Sequence, residues 1–194
     1  MVVTAPDRAI VWADTQTFTD GHPHDHRPKL IINATARIVG CGTGWTQLME
    51  RFGDAVTRAM DVDDLVEALP GLLRRESAAI ASKRPDPERF ISNAFCVAGW
   101  STRWGRLLGF ALEATTYFEP QRVFDFASPA SAELTAMGAT SLDDVTGLIL
   151  CQVRDLGLKT TGAVLGATLT PLGITTKTLL HLHHATDAKE RPVL

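Results

Sequence analysis

The chain has 194 residues, 45% of them hydrophobic and 21% charged, and its 15 glycines and 10 prolines follow no period. That composition excludes collagen-like, disordered and low-complexity classes and predicts one folded domain over residues 1–194, with 184–194 as a flexible tail. Nineteen basic against 22 acidic residues leave a formal charge of -3, and no basic block exceeds a pair or triplet such as Arg74-Arg75, so neither nucleic acid nor an anionic membrane is the expected partner.

No apolar run approaches the roughly 18 residues that span a bilayer, and the first residues lack the basic start and long apolar stretch of a signal peptide. Three cysteines, Cys41, Cys96 and Cys151, are widely spaced in apolar sequence. Together these features predict a cytoplasmic protein with reduced thiols, Cys96 and Cys151 serving as small buried hydrophobes.

Val2 to Thr4 and Ala9 to Ala13 read as two strands of a hairpin around the turn Pro6-Asp7-Arg8, and Asp14 ends the second strand. A polar stretch with Gly21 and two prolines reads as a loop. Lys29 to Asn33 and Ala36 to Cys41 then form two further strands around a short turn. Past Gly42-Thr43-Gly44, the spacing of Trp45, Leu48, Met49, Phe52, Val56 and Met60 predicts a helix. A second helix is expected near Asp61, carrying Leu65, Leu69, Leu72 and Leu73, with Pro70 kinking or splitting it. Pro85-Asp86-Pro87 breaks the chain before strands over Phe95 to Trp100 and Leu107 to Ala114. Ser128 to Thr140 is loop-like, Ser141-Leu142-Asp143-Asp144 starts a helix, and Gly162 to Thr170 with Ile174 to Leu182 closes the chain as a hairpin around Pro171-Leu172-Gly173. Two groups of strands, each followed by helices, bury their apolar faces most simply as an α+β fold of four layers, an αββα sandwich, with a two-layer α+β fold as the alternative.

Three segments carry a family resemblance: Ile10 to Thr17, then Lys29-Leu30-Ile31, then Arg37 to Gly44 leading into the amphipathic helix. In combination and spacing they resemble the N-terminal third of proteasome β-subunits and their bacterial relatives, which are N-terminal-nucleophile hydrolases. The resemblance is strongest over residues 2–60 and is compatible in order over the rest. It implies amide hydrolysis of a peptide or protein substrate, no cofactor, and assembly into a ring or dimer. In that chemistry an N-terminal Thr attacks the carbonyl with its own α-amine as base, a Lys eases its deprotonation, a carboxylate holds the Lys, and a backbone N–H stabilises the oxyanion. Asp14 matches the carboxylate, Lys29 the lysine and Gly42 the oxyanion donor, the last placed in a glycine-containing turn. The resemblance further implies a substrate cleft with Phe18, Arg27, Gly40, Thr43 and Gly44 as contacts, and Ser128 and Thr161 as supporting groups.

The chain departs from the pattern in three places. Aligning Asp14 on its counterpart puts the nucleophile position ahead of Met1, which leaves Thr4 as the nearest threonine. Leu158 stands where a supporting Asp is expected, and Pro129 follows Ser128 where the family prefers glycine. Two functional classes therefore stand side by side: an amide hydrolase, and a catalytically silent subunit that assembles rings or holds a peptide as an added strand beside Gly42. Cys41, ending a strand before a helix, is an alternative nucleophile.

His22, His24 and His26 alternate on an extended segment and could hold a metal with Asp25, although Pro23 and Pro28 fit a solvated loop, so that no metal site is assigned. Gly40 to Gly44 lacks the Lys-Ser/Thr pair and βαβ context of a phosphate loop. Trp45, Trp100 and Trp104 read as core or subunit-contact aromatics.

Overall fold

The computed structural model describes residues 2–5, 7–19, 22–83, 93–126, 146 and 162–182. Twelve strands are present among them: β1 (Val2–Ala5), β2 (Arg8–Asp14), β3 (Gln16–Thr19), β4 (His22–His26), β5 (Ile31–Asn33), β6 (Ile38–Thr43), β7 (Ala94–Ser101), β8 (Arg106–Glu113), β9 (Gln121–Val123), β10 (Asp125–Phe126), β11 (Gly162–Thr170) and β12 (Gly173–Leu182). Two helices, α1 (Thr46–Arg58) and α2 (Val62–Ala81), lie between β6 and β7. The strands form a five-stranded sheet in the order β10-β1-β2-β11-β12, a second in the order β5-β6-β7-β8-β9, and a separate β3-β4 pair, all antiparallel. The protein is thus an α+β fold. Among the described residues no helix is long and apolar enough to cross a membrane.

Strand alternation sorts the side chains into two cores. Val39, Cys41, Cys96, Ala98 and Leu107 of the second sheet meet Val2, Ala9, Val11, Ala167 and Leu169 of the first, forming the layer between the sheets. The opposite face of the second sheet offers Ile38, Phe95, Val97 and Leu112 to Leu48, Phe52 and Val56 of α1 and to Val62, Leu65, Leu69 and Leu73 of α2. Phe95 is central there, its ring 4.8 Å from Phe52 and 6.1 Å from Phe118. A third set, Ile10, Trp12 and Val164, is buried on the far face of the first sheet and belongs to neither core.

Helix α1 is fixed at both ends by asparagines distant in sequence. Trp45 at its N-cap makes no side-chain cap; Asn93, fully buried just before β7, accepts the Trp45 backbone N–H at 2.8 Å instead. At the other end Asn33 Nδ2 donates to the carbonyls of Val56, Thr57 and Ala59 at 3.0, 3.1 and 2.8 Å, satisfying acceptors that the helix leaves over. The outward side of α1 is polar, with Gln47, Glu50, Asp54, Thr57 and Arg58 exposed.

Several expected elements differ. Gln16–Thr19 and His22–His26, expected as loop, pair as β3 and β4, because residues with poor strand propensity still pair when a partner strand supplies the ladder. Helix α2 runs unbroken through Pro70: the ring removes one hydrogen bond, but the Leu65, Leu69 and Leu73 stripe packs against the sheet on both sides of it. Strand β6 continues to Thr43, so Gly42 lies within the strand and the bend comes at Gly44. The closing hairpin forms as expected, with its second strand starting one residue earlier, at Gly173, which pairs with Thr170. The helix expected from Ser141, Cys151, and the tail 184–194 lie outside the described residues, apart from Thr146, which is helical.

Candidate functional site

Asp14 is the last residue of β2, where the strand leaves its β11 partner at the pair Val164↔Asp14. Lys29 approaches from the segment leading into β5, and its Nζ donates to Asp14 Oδ1 at 2.8 Å. The pair thus joins the first sheet to the strand that opens the second. It is half-buried, Lys29 with 19% of its side chain exposed and Asp14 with 36%, so the charges are partly shielded yet within reach of a solute.

Thr15, next to Asp14, knits the surroundings together. Its N–H donates to Ala163 O at 2.9 Å, its Oγ1 accepts from Ala163 N at 3.1 Å, and its carbonyl accepts from Arg27 N at 2.7 Å. Gly162 sits against this junction at φ +96°, and a Cβ there would lie 2.4 Å from His26 Nδ1 and 2.7 Å from Thr15 Oγ1. Arg27 is exposed, its Nε donating to Asp25 Oδ2 at 3.0 Å. Phe18 lies on β3 opposite Pro23.

On the second sheet, β5 pairs with β6 only as far as Ile31↔Gly40. Beyond it, Gly42 and Thr43 keep their β7 partners, Phe95 and Ala94, and have no partner on the β5 side among the described strands. Of two successive residues in an antiparallel ladder, one directs its N–H and C=O away from its partner strand, so this edge offers backbone groups to an extended ligand. Both glycines also have a packing cause. A Cβ at Gly40 would meet Phe52 Cζ at 2.9 Å, and one at Gly42 would meet the Phe95 ring at 2.5 Å and Met49 Sδ at 3.0 Å. Gly44, at φ +134°, forms the bend, and a Cβ there would lie 2.1 Å from Asn93 Oδ1, the atom that holds the start of α1.

Asp14 and Lys29 are brought together as the spacing implied, but Thr4 does not join them. It pairs with Ala9, five residues along β2 from Asp14, and its Oγ1 donates to Val123 O at 3.0 Å. At roughly 3.4 Å per residue that separates it from the ion pair by about 17 Å. Gly42 is a strand residue and not part of a turn. Ser128 and Thr161 lie outside the described residues, and among the described residues no group of three or more His, Cys, Asp or Glu is placed to hold a metal.

Sequence reading missed Asn93, Thr15 and the relation between two cysteines. Cys41 and Cys96 are direct partners across β6 and β7, both buried in the layer between the sheets, with their sulfurs 3.2 Å apart. Cys41 Sγ also lies 3.6 Å from Trp12 O, as donor. The contact with Cys96 holds the pKa of the Cys41 thiol below that of an ordinary cysteine, against the effect of burial. Cys96, beside Cys41 and buried, is pushed well up. The signal was available only through strand pairing: the expected strands ending at Cys41 and opening at Phe95 place these residues opposite each other once the two strands are neighbours.

No protein-family model and no curated protein matches the chain.

Proposed function

We propose that the chain is a proteasome-like N-terminal-nucleophile hydrolase in fold and that the end of the sandwich around Asp14, Lys29 and Gly42 hydrolyses amide bonds of a peptide substrate. The observation that carries the reading is the 2.8 Å Asp14–Lys29 ion pair, which links the end of β2 in one antiparallel sheet to the residue two before β5 of the other, the strand that pairs with Gly40 of β6. Burial of Ile10, Trp12 and Val164 on the far face of the first sheet supports a further layer there, as the αββα sandwich requires.

In this reading Lys29, oriented by Asp14, places a positive charge where a nucleophile loses its proton, and a backbone N–H of the Gly42-Thr43 edge meets the oxyanion. The peptide lies along that edge as an added strand, flanked by the β3-β4 hairpin that carries Phe18. The attacking residue belongs on the line of β1 ahead of Val2, because each step along β1 toward Val2 moves its partner along β2 toward Asp14. We place the protein in the cytoplasm as a homo-oligomer, with Trp104, Tyr117 and Phe124 as exposed large aromatics among the described residues.

The test is the intact mass and N-terminal residue of the protein expressed from its native locus, followed by labelling with a peptidyl epoxyketone. That reagent bonds a nucleophile and the α-amine of the same terminal residue. A chain beginning with Thr, Ser or Cys that is labelled, and that loses labelling in Lys29→Ala, supports the hydrolase. A chain without such a residue that takes no label refutes it. The same open edge beyond Gly40 favours the second reading in that case, a silent subunit that binds peptide by strand addition.

A further inference from the structure

The pairing of Cys41 with Cys96 is independent of any hydrolase activity. Directly opposed residues of an antiparallel pair have Cα atoms about 4.5–5.5 Å apart, inside the range that a disulfide spans. Their sulfurs stand at 3.2 Å, so bond formation needs a further approach of about 1.2 Å. Neither side chain must cross the sheet, since both project into the layer between the sheets. Both residues are buried, Cys41 2% and Cys96 1% exposed. A small oxidant therefore reaches the pair by local opening of the layer.

We propose that Cys41 and Cys96 form a reversible cross-strand disulfide when the protein meets a hydroperoxide. Cys41 is the attacking thiolate. Its sulfur displaces hydroxide from the peroxide O–O bond and becomes a sulfenic acid, S–OH. The Cys96 sulfur then attacks that sulfur, the S–S bond forms as the S–O bond breaks, and the hydroxyl leaves as water with the Cys96 proton. Two thiols lose two electrons and two protons in total, and one hydrogen peroxide becomes two waters. The 3.2 Å contact puts each sulfur within reach of the other, and Cys41 takes the attack because that contact favours its thiolate while Cys96 resolves the sulfenic acid. The product ties β6, with its open edge, covalently to β7.

The experiment treats the folded full-length protein with hydrogen peroxide under native conditions, counts thiols, and maps non-reduced peptides by mass spectrometry. Of three thiols, two should disappear with a mass loss of about 2 Da, the Cys41 and Cys96 peptides should be joined, and dithiothreitol should restore both. Closing a loop of this length should also raise Tm by about 5 °C or more. A Cys151→Ser variant should behave alike, and Cys96→Ser should stop at the sulfenic acid on Cys41, trapped by dimedone. Retention of all three thiols overturns the proposal, as does a cross-link to Cys151. A Cys41–Cys96 bond that forms only after the native circular dichroism is lost overturns it as well.

Discussion

A double-mutant cycle on Asp14 and Lys29 tests whether the ion pair persists in solution. At 2.8 Å, Coulomb's law gives about 1.5 kcal/mol at the dielectric constant of water and about 6 kcal/mol at an effective value of 20. With 19% and 36% of the side chains exposed, most of the larger figure is cancelled by removing the ammonium from water and ordering its stem, which leaves a coupling of about 1 kcal/mol. The variants are Asp14→Asn, Lys29→Met and the double, each followed by urea denaturation at one fixed protein concentration. The single changes should each lower stability by about 1 kcal/mol, a Tm shift of about 2–4 °C, and the double should cost less than their sum by the coupling energy. Arg58 and Asp54, 4.0 Å apart and exposed, supply the internal comparison and should couple by only a few tenths of a kcal/mol, falling away in high salt. A coupling between Asp14 and Lys29 no larger than that surface pair's would refute the geometry on which the functional reading stands.

Gly44→Ala should be severe: it places a Cβ 2.1 Å from Asn93 Oδ1 on a backbone at φ +134°, and strain plus the lost cap add to about 3 kcal/mol, or a Tm drop of about 10 °C by calorimetry. Asn93→Ala removes the bond to Trp45 N and should cost about 1–2 kcal/mol, with hydrogen exchange speeding first in the opening turn of α1. The two changes break one contact, so the double variant should cost less than the sum, and additive costs would refute the shared origin. Asp61 caps α2. Burial pushes its carboxyl up, but hydrogen bonds from Thr102 Oγ1 and Asp63 N together outweigh it and hold the pKa below 3.8. A depressed carboxylate contributes stability that is present above its unfolded pKa and lost as pH falls through the folded one. The acid limb of the wild-type stability curve should therefore be steeper than that of Asp61→Asn, which keeps a capping side chain, while Asp61→Ala loses about 1 kcal/mol at neutral pH.

The regular ladders were legible because each local signal agreed with the fold. The apolar run Ala9 to Ala13 marked β2, and the turn Pro171-Leu172-Gly173 set the register of β11 on β12. The i, i+4 run Leu48, Phe52, Val56 marked the inner face of α1. What escaped was decided by groups far apart in the chain. Asn93 caps a helix that begins 48 residues earlier, and no window around Trp45 contains it. The β3-β4 hairpin escaped because His22-Pro23-His24-Asp25-His26 has the composition of a loop, and its strand geometry comes from its partner. The Asp14–Lys29 meeting was legible from spacing and resemblance alone, whereas the distance of Thr4 from it follows from where the β1-β2 register puts Ala9.

The glycines of β6 and the ion pair beside them do not bear equally on function. Gly40 and Gly42 resemble part of an oxyanion-binding segment, but Phe52, Phe95 and Met49 press so closely on their Cα atoms that a sheet covered by α1 needs glycine there whether or not chemistry occurs. A Gly42→Ala variant would lose activity through misplaced packing and therefore could not separate a hydrolase from a silent subunit. Asp14 and Lys29 have no such packing cause. They sit where the β2 ladder ends, joined by their 2.8 Å ion pair. Loss of labelling in a Lys29 variant that keeps its Tm to within a few degrees would therefore report on chemistry. A folded Lys29 variant with unchanged labelling would remove the lysine, and with it the N-terminal-nucleophile mechanism, from this end of the sandwich.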